Sequence, residues 1–108
     1  MGLQHCLPGE VVNLLLLNEH LPSNTTVAIA KTEDMEIIRM FLPQGKKIPE
    51  HSVTGEITVQ CLSGRLDFIV EGDARELRAA DWLYLSANQK HSLCAFEDSV
   101  ILVTIYLK

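Results

Sequence analysis

Aromatic residues are scarce in this sequence, at 6% of 108 residues, and charge of positive sign is in the minority, giving a net charge of −5. An acidic chain repels nucleic-acid phosphates, and no basic stripe offsets that here, so DNA and RNA binding are excluded as expectations. Long apolar runs are missing. None exceeds four residues, as at Leu14 to Leu17 and Val100 to Val103, far short of the ~20 a membrane-spanning helix needs. Met1 to Glu10 lack a charged segment followed by an apolar one, which predicts a soluble, cytoplasmic chain. There is no CxxC pair. The three cysteines, Cys6, Cys61 and Cys94, are odd in number and predict free thiols, with Cys61 and Cys94 buried and inert inside apolar strands. Walker, dinucleotide and serine-elbow signatures, internal repeats and low-complexity tracts are all lacking.

What is present is a succession of short β segments. Hydrophobic residues are 47% and charged residues 21% of the chain, ordinary for one folded domain of this length. Val11 to Leu17 is an apolar run, Thr25 to Lys31 is β-branched, and Met35 to Leu42 precedes a Pro43-Gln44-Gly45 break. In Glu56 to Leu62, Ile57, Val59 and Cys61 alternate with Glu56, Thr58 and Gln60, the period of a strand with one buried face. Arg65 to Glu71 repeats the pattern through Leu66, Phe68 and Val70, and Gly72-Asp73 reads as a tight hairpin. Ala74 to Ala79, Trp82 to Leu85, His91 to Phe96 and Val100 to Leu107 complete about ten strands. Such a chain needs two facing sheets or a closed barrel to bury its apolar faces. Met35 and Met40 read as core filling. Lys46-Lys47, Glu33-Asp34, His5 and His20 read as solvated surface.

The stretch from Gly45 to Gly64, GKKIPEHSVTGEITVQCLSG, resembles the first motif of the cupin superfamily. Gly45, His51 and Gly64 occupy family positions. Val53 stands in place of the second histidine and Ile57 in place of the glutamate, with Glu56 one residue early. Alternation puts Glu56 outward; a bulge at Thr54-Gly55 would instead turn it in. From Ala80 to Ala95, ADWLYLSANQKHSLCA resembles the second motif. There His91 is on the family histidine, Asp81 on the aspartate, and Ala80 and Asn88 stand where glycines are usual.

The resemblance implies an all-β fold, a cupin-type jelly-roll barrel formed by residues 1–108 as a single domain. It implies much less about chemistry, since one fold carries many functions. A family metal site uses three histidines and a glutamate. Only His51 and His91 remain as metal-ligand candidates here, a pair that would hold zinc, nickel, manganese or iron weakly. The leading expectation is a small molecule bound in a barrel lined by His51, Val53, Ile57, Val59, Cys61, Phe68, His91 and Leu93. The alternatives are a metal-dependent dioxygenase or isomerase, a metal-free epimerase-like enzyme using His51 or His91 as base and Tyr84 as acid, and a purely structural subunit. A nucleophile made of Cys61 and one of these histidines is a further option. The apolar runs Val11 to Leu17 and Val100 to Leu107 want cover on both faces, which predicts a homodimer.

Overall fold

A computed structural model describes residues 5–15 and 24–107. Nine strands form among them: β1 (Val27–Lys31), β2 (Met35–Leu42), β3 (Lys47–His51), β4 (Ile57–Ser63), β5 (Arg65–Val70), β6 (Asp73–Arg78), β7 (Trp82–Leu85), β8 (His91–Ala95) and β9 (Ser99–Tyr106). They make two antiparallel sheets, one ordered β1-β2-β9-β4-β7 and the other β3-β8-β5-β6. The chain changes sheet after β2, β3, β4, β6, β7 and β8, so the two sheets close on one another as a jelly roll. Among the described residues no helix is long and apolar enough to cross a membrane.

Alternation decides which side chains meet inside. Ile57, Val59 and Cys61 on β4 pack in one core with Leu66, Phe68 and Val70 on β5 and with Leu93 and Ala95 beside them on β8; all are buried. Removing each large aliphatic side chain from water contributes roughly 1.5–3 kcal/mol. Leu42, Cys61, Leu66, Leu77 and Ala95 fill one end of this interior, while the other end remains hollow.

Turn chemistry fixes the registers. Glu71 and Gly72 both take positive φ, 50° and 88°, between the paired Val70 and Asp73. The hairpin therefore turns on Glu71-Gly72, one residue earlier than the sequence suggests, because Glu71 accepts a left-handed conformation. Gly64 (φ 90°) joins β4 to β5. A Cβ there would lie 2.4 Å from the Asp98 carbonyl oxygen, so this position requires glycine for two reasons.

Two further expectations fail in the fold. Residues 11–15 make a bridge at Asn13 and a turn instead of a strand; Leu16, Leu17 and His20 lie outside the described residues. The segment is held by Arg39, which is fully buried on the outer side of β2. Its Nε donates to the Leu14 carbonyl at 2.8 Å, and its Nη atoms donate to the carbonyls of Leu15 (3.1 Å) and Thr25 (2.7 Å). A cation clasped by three carbonyls is a different reason for a segment to dock than an apolar strand. Second, Cys94 is only half-buried, since β8 turns His91, Leu93 and Ala95 inward and Cys94 outward. A strand not read from the sequence also forms, Lys47–His51, despite Pro49 and its charges. It lies at a sheet edge, where a missing N–H is tolerated.

Candidate functional site

The hollow end is a cavity of about 240 Å³. β4 lines it with Ile57 and Val59, β2 with Ile38 and Met40, β9 with Ile101, Val103 and Ile105, and the second sheet with Ile48, Phe68 and Leu93. Val53 lies in the loop between β3 and β4. The polar side chains on the wall are His51 and His91.

These two histidines are brought together by pairing and by turns. His51 ends β3 and is the register partner of His91, which begins β8. Their ring centroids are 4.3 Å apart with the planes inclined at 60°. His51 is exposed, whereas His91 is 4% exposed and stacks on Phe68 at 5.4 Å. The Asn88 N–H donates to the Val53 carbonyl at 2.8 Å, tying the loop after His51 to the turn before His91. That turn is closed by Gln89, whose Oε1 accepts from the Ser86 N–H at 3.1 Å, and Asn88 takes φ 64° there. Each ring also has a local anchor. His51 Nδ1 lies 3.0 Å from the Pro49 carbonyl oxygen and His91 Nδ1 3.0 Å from that of Gln89. Burial, and secondarily His51 itself, hold the proton affinity of His91 below the usual histidine range, against an opposing pull from the Gln89 carbonyl.

Of the residues expected to line the site, Val53, Ile57, Val59, Phe68 and Leu93 do so with both histidines. Cys61 does not. It lies in the filled end, its thiol directed at the Ser63 carbonyl 3.4 Å away. Burial pushes the thiol's proton affinity up, which makes it a poor nucleophile. Tyr84 is also outside. It is the register partner of Thr58, on the face opposite Ile57 and Val59, and it is half-exposed. Its hydroxyl donates to Glu56, an interaction that pushes the phenol further above its usual range. Glu56 thus points out of the barrel, as alternation implies. Sequence reasoning missed the walls from β2 and β9. An apolar strand such as Val100 to Leu107 gives no sign of which face turns inward, and only pairing with β4 decides for Ile101, Val103 and Ile105.

The donors here do not fit a resident metal ion. Val53 and Ile57 cannot coordinate, and among the described residues no group of three or more histidine, cysteine, aspartate or glutamate side chains converges. Two imidazoles fall short of the three or more protein ligands that metal centres use.

No protein-family model matches the sequence, and no curated protein matches it either. Solved structures do match. A cupin superfamily protein from Desulfitobacterium hafniense superposes with a TM-score of 0.81 at 16% identity, covering 100% of both chains. The fold is that of a cupin. A Streptococcus pyogenes protein of unknown function gives 0.79 at 18% identity, over 97% of this chain and 93% of its own. An RmlC-like cupin from Desulfovibrio desulfuricans gives 0.68 at 22% identity, over 99% and 98%. One backbone feature agrees with the alignment of both cupin motifs. Gly45, Gly64, Ala80 and Asn88, the residues at the motifs' glycine positions, all have positive φ, at 83°, 90°, 77° and 64°. Asp81 closes the turn that contains Ala80, its Oδ2 accepting from the Arg78 N–H at 2.8 Å.

Proposed function

We propose that this small cupin protein binds a small, mostly apolar molecule in the hollow end of its barrel, next to His51 and His91. The observation that carries the reading is the cavity itself, whose wall is aliphatic or aromatic except for two adjacent imidazoles. A few polar groups converging on an apolar cavity are the ordinary character of a ligand site. Its size suits a compact ligand. An apolar cavity of about 150 Å³ takes a benzene ring, so one of about 240 Å³ takes roughly ten non-hydrogen atoms on the same scale.

The metal-dependent alternative is not favoured, because Val53 and Ile57 replace two of the family's ligands. The metal-free epimerase-like alternative loses its acid, since Tyr84 faces away from the histidines. Binding, sensing or sequestration needs neither.

The test is thermal unfolding with and without small ring compounds, toluene first, on the parent and on Val103→Phe, which narrows the cavity. Ligand at about a hundred times its Kd should stabilise the parent by about 2.7 kcal/mol and the variant by much less. No stabilisation of the parent by any compound that fits would overturn the reading.

A further inference from the structure

The histidine pair also states which kind of ligand fits, if the cavity is a binding site as proposed above. A carbonyl oxygen can only accept a hydrogen bond. With Pro49 and Gln89 carbonyls 3.0 Å from the two Nδ1 atoms, each ring in its neutral form carries its hydrogen on Nδ1. Nε2 is then a bare acceptor in both rings. Among the described residues no group hydrogen-bonds to either Nε2. For the deeply placed His91 that nitrogen is not sealed off, because no buried side-chain nitrogen or oxygen lacks a partner. His91 is part of the cavity wall.

The wall offers nothing else that is polar. Every other side chain on it is Ile, Val, Leu, Met or Phe. The cavity therefore presents hydrogen-bond acceptors and no side-chain donor. A purely apolar guest would strip water from those acceptors and leave them unsatisfied, which costs free energy. A carboxylate or phosphate would itself be desolvated with no donor to receive it, which costs more. A guest with an O–H avoids both penalties. Burial lowers the proton affinity of His91, which favours its neutral ring.

We propose that the cavity selects a neutral hydrogen-bond donor, an apolar alcohol or phenol, whose hydroxyl hydrogen is accepted by Nε2 of His91 while Nε2 of His51 accepts from a second hydroxyl or from water at the mouth. The site discriminates by sign of hydrogen bonding. Shape is secondary, because ring compounds of one size divide into donors that bind and acceptors that do not.

The experiment uses three probes of similar size, phenol, toluene and benzoate, at about pH 8, where imidazoles are neutral. Long-range ¹H–¹⁵N spectra of the histidine rings come first and should show the Nδ1–H form for both. Methyl resonances of the cavity's Ile, Val and Leu side chains then report binding. Phenol should bind roughly three- to tenfold more tightly than toluene, the worth of one hydrogen bond, and should shift the His91 Nε2 resonance, which toluene leaves in place. Benzoate should be the weakest. In His91→Phe the advantage of phenol over toluene should vanish. The nitrogen shift in the unaltered protein is an independent reading should that variant not fold. Phenol and toluene binding alike, or benzoate binding best, would overturn donor selection and leave small-molecule binding intact. Absence of any binding would sink both.

Discussion

His51 and His91, each contributed by a different sequence motif, are direct register partners on adjacent strands, with ring centroids 4.3 Å apart. Pairing of edge strand β3 with β8 creates this contact, and the Asn88–Val53 hydrogen bond locks it. The site is therefore a property of the fold's closure at one end, and substitutions can address it separately from the filled end.

The first prediction concerns pH. The proton affinity of His91 is lowered on folding, mainly by burial, so the unfolded chain binds the proton more readily. Between the folded value and the unfolded value of about 6.5, the unfolded state holds more protons, and stability rises with pH there. The contribution is complete above the unfolded value and is lost as pH falls toward the folded one. Urea midpoints should decline on acidification through this window, and the decline should be shallower in His91→Phe. A parent that gains stability on acidification through the same window would contradict the placement of His91.

A second prediction rebuilds the missing ligands. Val53 and Ile57 both line the cavity with the histidines, so Val53→His with Ile57→Glu supplies the ligand set of the cupin motifs that the sequence resembles. Without metal the double variant should lose about 3–5 kcal/mol, the cost of an uncompensated buried charge. Zinc, nickel or manganese should recover about 2.7 kcal/mol at a hundredfold excess over Kd, and titration calorimetry should show much tighter binding than in the parent. Equal metal affinity in both proteins would mean that the motif alignment is wrong.

The glycine positions give a third test. Gly64→Ala sets a Cβ 2.4 Å from the Asp98 carbonyl oxygen and 2.6 Å from Ser99 Cα, on a backbone with φ 90°. It should cost about 2–4 kcal/mol from backbone strain and crowding together. Ala80→Gly works in the opposite direction. Alanine at φ 77° is strained, and relief should add about 0.5–1 kcal/mol. Denaturant titration of the two variants measures both. An unaffected Gly64→Ala would show that the β4–β5 turn is built differently.

How far the sequence went can be traced strand by strand. Ile57-Val59-Cys61 and Leu66-Phe68-Val70 were legible because one face of each is apolar and the other polar, and the structure buries the face expected. The two motifs identified the histidines, and their glycine positions have the backbone the motifs require. Val100 to Leu107 was legible as a strand, yet not in its facing, because both of its faces are apolar. Lys47–His51 was missed because a charged, proline-bearing edge strand has no pattern to display. Val11 to Leu17 was misjudged from its leucines, when the contact that docks residues 14 and 15 is made by their carbonyls to Arg39, far away in sequence. Long-range pairing decides all three.

The last prediction is the homodimer, which now rests on the outer face of β9 and β7 and no longer on Val11 to Leu17. Ile101, Val103 and Ile105 face the cavity, so alternation leaves Leu102, Thr104 and Tyr106 on the outer side of β9. Trp82 and Tyr84 stand on the same outer face, in the rows of Leu102 and Thr104 respectively, since Gln60 pairs with both Trp82 and Leu102 and Thr58 with both Tyr84 and Thr104. Three aromatic side chains there are about half exposed, Trp82 at 59%, Tyr84 at 50% and Tyr106 at 48%. Aromatic residues spend little entropy on being ordered and dominate contact energies between proteins. β7 is also an edge strand, which a second copy would protect. Two chains packed through this face about a two-fold axis are the expected assembly. Light scattering at micromolar concentration should give twice the 12.1 kDa of one chain. Trp82→Glu together with Tyr106→Lys should give a folded monomer, because neither side chain supports the interior. A parent mass of one chain would reject the dimer, and a double variant that remains dimeric would reject this face as its interface.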